Sequence, residues 1–93
     1  MAVTVKIPTI FRPEVGGRPN VEADGRTLRD VLEDLDRRYP ELKGRIFSED
    51  GGLRRFVNLY VNDEDVRYLA WLDTRVEEGD TVSILPAVAG GDA

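Results

Sequence analysis

Only one stretch of this chain carries the full set of signals for a long helix, and it is flanked by strand-like segments on both sides. Thr27 opens it: its hydroxyl can satisfy a free N–H of the first turn, and Asp30 stands at the capping-box position in place of the usual Glu or Gln. Leu28, Val31, Leu32 and Leu35 follow the i, i+3, i+4, i+7 rule and form one apolar stripe. Asp30, Glu33, Asp34 and Arg37 fill the remaining surface. Pro40 ends the helix, because the residue before a proline, Tyr39, is pushed out of α geometry. A single stripe of this kind must be buried against something, and the rest of the chain offers a sheet.

Val3, Val5 and Ile7 alternate with Thr4 and Lys6, the pattern of a half-buried strand. Pro8 and Pro13 bracket an irregular stretch, Gly16-Gly17 marks a turn, and residues 20–23 read as a second strand antiparallel to the first. Residues 42–47 read as a short helical turn and residues 48–52 as a loop. Residues 55–62 alternate strongly, with Val57, Leu59 and Val61 on one side and Phe56, Asn58 and Tyr60 on the other. A turn over residues 62–65, a short edge strand over 66–68, a turn at Glu78-Gly79-Asp80 and a last strand over 81–85 complete the reading. The order predicts an α+β fold, a β-grasp (ubiquitin-like) arrangement. Its mixed four- to five-stranded sheet has one main helix packed on one face, and its first and last strands lie parallel in the centre. A ferredoxin-like fold needs a second full helix, and residues 69–77 are too short and broken to supply it. One domain is expected over residues 1–86, followed by a flexible tail over 87–93.

Composition narrows the chemistry. The chain has 93 residues, 41% apolar and 33% charged, which suits a globular domain. It has no Cys and no His, so a thiol nucleophile, a disulfide, a thiolate metal site and the commonest acid–base side chain are all missing. A stand-alone enzyme is not expected, nor any catalytic residue, bound cofactor or metal. The net charge of −5 disfavours nucleic acid and anionic membrane surface as partners and favours a basic one. The N-terminal residues have no signal-peptide pattern, and no apolar run approaches the ~20 residues that span a bilayer, so the cytoplasm is the expected compartment. Asp63-Glu64-Asp65 lacks the spacing of a calcium loop and reads as a solvated turn. Trp71 reads as a core or rim residue, and Arg54-Arg55 as too small a basic cluster for nucleic acid.

The end of the sequence is different in kind. Pro86 should stop the last strand, and Ala87-Val88-Ala89-Gly90-Gly91-Asp92-Ala93 contains little that packs. The plain reading is a frayed terminus. The functional one is that a diglycine, with no Cβ atoms, can thread a channel too narrow for side chains and present a main-chain carboxylate to another protein. Without Cys or His, that carboxylate is the credible reactive group, made electrophilic when ATP turns it into an acyl-adenylate.

Here a resemblance enters. Ile7-Pro8-Thr9-Ile10, Arg12-Pro13, Gly16-Gly17, the run from Arg55 to Arg67, and Ile84-Leu85-Pro86-Ala87-Val88-Ala89-Gly90-Gly91 resemble the ThiS/MoaD family of ubiquitin-like sulfur carriers, most closely its actinobacterial cysteine-biosynthesis branch, the CysO type. The resemblance implies that an E1-like adenylating enzyme uses ATP on the Gly91 carboxylate and that sulfur then replaces one oxygen to give a thiocarboxylate. Ala87, Val88, Ala89 and Gly90 would be the channel-threading tail. It implies a sulfur-accepting biosynthetic enzyme, cysteine synthase-like or thiosugar/thiazole synthase-like. In the cysteine branch that acceptor is an activated serine on a pyridoxal-phosphate enzyme.

Asp92-Ala93 departs from the mature pattern. Either a JAMM-type metallopeptidase cuts between Gly91 and Asp92, or the two residues are not native to the chain. Phe56, Tyr60 and Leu85 should point away from the helix and form a partner-binding patch beside the tail. The competing function is a ubiquitin-like protein modifier or non-covalent binding module, whose final acceptor is a lysine amine rather than a sulfur source.

Overall fold

The structure, a computed structural model, describes residues 2–48, 54 and 57–86. Strand β1 (Ala2–Lys6) is followed by a 3-10 helix (Thr9–Val15), strand β2 (Asn20–Asp24), helix α1 (Leu28–Arg38) and helix α2 (Pro40–Ile46). Strands β3 (Val57–Val61) and β4 (Glu64–Asp65), two short 3-10 turns (Val66–Tyr68 and Trp71–Asp73) and strand β5 (Thr81–Pro86) complete the chain. The five strands form one sheet in the order β2-β1-β5-β3-β4. Strands β1 and β5 run parallel at its centre and the other neighbours are antiparallel. This is the predicted arrangement, and α1 lies over one face.

The face beneath α1 follows from the strand parity. Val3, Val5, Val21, Ala23, Leu59, Val61, Val82 and Ile84 are buried there against Leu28, Val31, Leu32 and Leu35. Because side chains alternate with period two, a one-residue slip would expose all of them at once, so the core itself fixes the register. The start of α1 is tied down twice. The Thr27 hydroxyl accepts from the Asp30 N–H at 3.2 Å, and the Thr74 carbonyl accepts from the Leu28 N–H at 2.8 Å. The Asp30 carboxylate accepts from the N–H of Arg26, one residue before the position a capping box would use. Gly25 precedes this turn because the backbone leaves no room for a side chain: a Cβ there would lie 2.6 Å from the Val31 nitrogen.

Several expectations need correction. The stretch after Pro8 is not irregular but a 3-10 helix that buries Phe11 and Val15 and closes on Gly16 in the left-handed region. Pro40 does end α1, but it also begins α2, which starts two residues before the expected helical turn; a proline at the first helical position lacks only an N–H that would have had no partner. Val66–Tyr68 is not the edge strand. Asn62 and Asp63 both sit at positive φ and make a two-residue hairpin turn, so pairing resumes at once with Glu64 opposite Val61. Asp65 then ends β4 by accepting from the Arg67 N–H, which turns the chain into a 3-10 helix with Val66 buried. The last strand includes Pro86 rather than stopping before it, with Pro86 opposite Val57. Residues 49–52 of the expected loop, and Arg55 and Phe56 of the expected third strand, lie outside the described residues.

Candidate functional site

Strand β5 delivers the tail. It lies between β1 and β3, and its final residue, Pro86, is registered with Val57 at one end of the sheet. The tail starts from one of the two central strands, anchored by Val82, Ser83 and Ile84, all buried. Gly90, Gly91 and Asp92, the expected reactive and cleavage positions, and Ala87, Val88, Ala89 and Phe56 lie outside the described residues.

The outer face of the sheet holds the remaining two predicted site residues. Leu85 is directly opposite Asn58, and Tyr60 opposite Ser83, so Tyr60 and Leu85 are diagonal neighbours across β3 and β5. Leu85 is 46% exposed, while Tyr60 is half-buried. Both line a shallow groove of about 540 Å³ together with Lys6, Pro8 and Arg12. Lys6 is registered with Ser83, so one row across the sheet reads Lys6, Ser83, Tyr60, Asp65. Arg12 is held by its own Nε–H, which donates to the Ile7 carbonyl at 3.1 Å. The sequence did not place Pro8 and Arg12 here because it read their segment as irregular.

At the sheet edge, Asp65 accepts from both the backbone N–H and the guanidinium of Arg67, the latter at 2.6 Å from Nη2. The Arg67 side chain, then its backbone N–H, hold the Asp65 carboxyl below its usual value. Beyond it, Trp71 is 52% exposed, a rim residue, and Tyr68 is exposed as well. A second groove, of about 450 Å³, runs beside Trp71.

A family model described as the ThiS family matches residues 5–91. The chain belongs to the ThiS family. It is 54% identical over 93 residues to the sulfur carrier protein CysO of Mycobacterium tuberculosis, covering 98% of this chain and 100% of that one. It is 41% identical over 94 residues to small archaeal modifier protein 3 of Haloferax volcanii, with the same coverage. In the crystal structure of the Amycolatopsis orientalis BexX/CysO complex, a chain 50% identical superposes with a TM-score of 0.87 over 96% of this chain and 99% of its own length. The sheet order and helix described above are therefore those of a ubiquitin-like β-grasp, and this ThiS-family member is like the CysO sulfur carriers in sequence and fold. The family match ends on Gly91, so Asp92 and Ala93 fall beyond it.

Proposed function

We infer that this chain carries sulfur on the Gly91 carboxyl and delivers it to a biosynthetic enzyme. The observation that carries the reading is where the family match stops: on Gly91, the second residue of the diglycine. A peptidase of the JAMM type first cuts the Gly91–Asp92 bond. An E1-like partner then joins the freed carboxylate to the α-phosphorus of ATP, giving an acyl-adenylate and releasing pyrophosphate. Sulfide attacks the carbonyl carbon and AMP leaves, so that one carboxylate oxygen is replaced by sulfur. The accepting enzyme uses that sulfur to make cysteine or another sulfur-containing metabolite, in the cytoplasm. The chain is a protein co-substrate in this scheme, and the ATP is bound by its partner.

The groove of Tyr60, Leu85 and Pro8 lies on the strand that leads into the tail, which supports docking of the activating or accepting enzyme there. That the Amycolatopsis relative crystallised in a complex with BexX supports docking of a protein partner by this fold. A second reading, a ubiquitin-like modifier, is favoured by the likeness to the Haloferax modifier protein. It shares the activation step but ends in an amide to lysine.

The test uses a chain ending at Gly91, its cognate adenylating enzyme, ATP and sulfide, read by intact mass. The truncated chain should gain the mass of one oxygen-to-sulfur exchange, and the untrimmed chain should not unless the peptidase is added. Gly90→Ala should fold normally and lose activation, since one methyl obstructs a narrow channel. Activation of the untrimmed chain as readily as the truncated one overturns the trimming step. Failure of both forms overturns the carrier reading.

A further inference from the structure

The sheet ends on β2, and one side of that strand has no neighbouring strand. The ladder with β1 decides which backbone groups face that side. The Ile7 N–H donates to the Pro19 carbonyl at 2.8 Å. In an antiparallel pair every second residue bonds across, so Val21 and Ala23, opposite Val5 and Val3, also turn toward β1. Asn20, Glu22 and Asp24 turn outward. Asp24 shows this directly, because its N–H donates to the Asp34 carboxylate of α1 at 2.8 Å. That contact closes one end of the edge, and Arg18, bonded to the Tyr39 hydroxyl at 3.1 Å, flanks the other. Between them, the outward backbone groups of Asn20 and Glu22 have no partner among the described residues.

The side chains give this edge a polarity. Val21 and Ala23 point into the core, while Asn20, Glu22 and Asp24 are exposed. Arg38 pairs with Asp24 at 3.0 Å. Glu22 faces Thr4 across β1, with Lys6 only at the diagonal. The register that would pair the whole strand with a second copy sets Glu22 against Glu22, and like charges directly opposite are destabilising. Such charges guard an edge against its own kind. They also select the opposite charge.

We propose that the β2 edge takes up, as a further strand, an extended segment of a partner protein that carries lysine or arginine at alternate positions. Its backbone bonds to Asn20 and Glu22 and supplies affinity, and its alternate side chains supply specificity. The basic ones lie beside Glu22 on the outer face, and those between them lie beside Val21 and Ala23 at the margin of α1. Strand β1 separates this edge from β5, so the groove of Tyr60 and Leu85 stays uncovered. The chain can therefore hold a basic partner at one edge while an enzyme docks by the outer face. This contact needs nothing from Gly91, so it and the carrier reading can fail separately.

The probe is a blocked pentapeptide alternating lysine and valine, titrated into the isotope-labelled full chain and followed by backbone amide shifts. The shifts should centre on residues 20–24 and leave β3 and β5 unmoved. The glutamate–valine counterpart should bind roughly fivefold more weakly, and Glu22→Lys should invert that preference. Glu22→Pro tests the backbone half. Its ring removes an N–H that points away from β1, so the ladder with β1 survives while the added strand loses a bond. The lysine–valine peptide should then no longer shift β2, and Glu22→Lys decides alone if the proline variant does not fold. Equal binding of the two peptides, an unaltered preference in Glu22→Lys, or shifts centred on β3 and β5 overturns the proposal. So does a concentration dependence of the β2 amides without peptide, which would put a second copy on the edge.

Discussion

The two faces of the sheet are made by the same strands and obey opposite rules. Toward α1, every second residue is a buried Val, Ile, Leu or Ala. On the outer face the alternate positions are Thr4, Lys6, Glu22, Asn58, Tyr60, Thr81, Ser83 and Leu85. The difference separates the face that must hold register from the one that need not. The inner face specifies register, because a slip would exchange the two sets. The outer face has no such duty, and its apolar side chains are available to a partner.

The comparison breaks first on the inner side. Leu32 is fully buried between α1 and the sheet, so Leu32→Ala should cost about 2–5 kcal/mol, measured by chemical denaturation. Gly25→Ala should cost about 2 kcal/mol, because the added methyl would press on the backbone of the first turn of α1 and on the Asp30 Cβ. A loss below about 0.5 kcal/mol in either variant would mean that α1 is not packed as described.

This division was largely legible in the sequence, for reasons that differ along the chain. Val57, Leu59 and Val61 and the stripe Leu28, Val31, Leu32 and Leu35 are read from periodicity, which burial enforces directly, and all are buried. The chain between β3 and β5 was read less well. Its edge strand is only two residues long, too short for any alternation, and its boundary is set by the Asp65 carboxylate capping Arg67. Trp71 reads from the sequence as a core or rim residue and the structure makes it a rim one, but its positive φ has no sequence signature, since nothing in a tryptophan favours it. The groove of Pro8, Arg12, Tyr60 and Leu85 was half legible. Strand parity gives Tyr60 and Leu85, whereas Pro8 caps a 3-10 helix from its extended start and Arg12 lies within that helix, whose period is not that of a strand or an α-helix.

Between the two faces lies the α1–β2 junction, where charge replaces packing. The Asp34 side chain is 13% exposed and accepts from the Asp24 N–H at 2.8 Å, from Arg37 at 3.0 Å and from Arg38 Nε at 2.8 Å. The Asp24 amide first, and the two arginines after it, hold the Asp34 carboxyl below its ordinary 3.8, against an opposing effect of burial. A carboxyl depressed in the folded state stabilises it fully above the ordinary value and loses that contribution as pH falls through the folded one. Asp34→Asn should therefore cost about 1–2 kcal/mol at pH 7. The gap to the parent should begin to close as pH falls toward 3.8 and vanish below the folded value. Denaturation midpoints across pH 2–7 check this; a gap independent of pH would mean that Asp34 acts by shape rather than charge.

The smallest effect on stability is expected on the outer face, and it sharpens the comparison most. Tyr60 is half-buried beside Ser83 and Asp65, and Leu85 is 46% exposed, so truncating either removes little from the core. Tyr60→Ala and Leu85→Ala should each change unfolding free energy by less than about 1 kcal/mol. If the groove docks the activating enzyme, the same substitutions remove the anchors of that contact. Aromatic and aliphatic anchors at the centre of an interface are worth about 2 kcal/mol or more, so affinity should fall roughly 30-fold for Tyr60→Ala. Titration calorimetry against the adenylating enzyme, beside thermal melts of the same samples, separates the two quantities. Unchanged affinity in both variants would move the docking surface off this face. A large stability loss would mean instead that Tyr60 belongs to the core, and that the outer face is under the same structural constraint as the inner one.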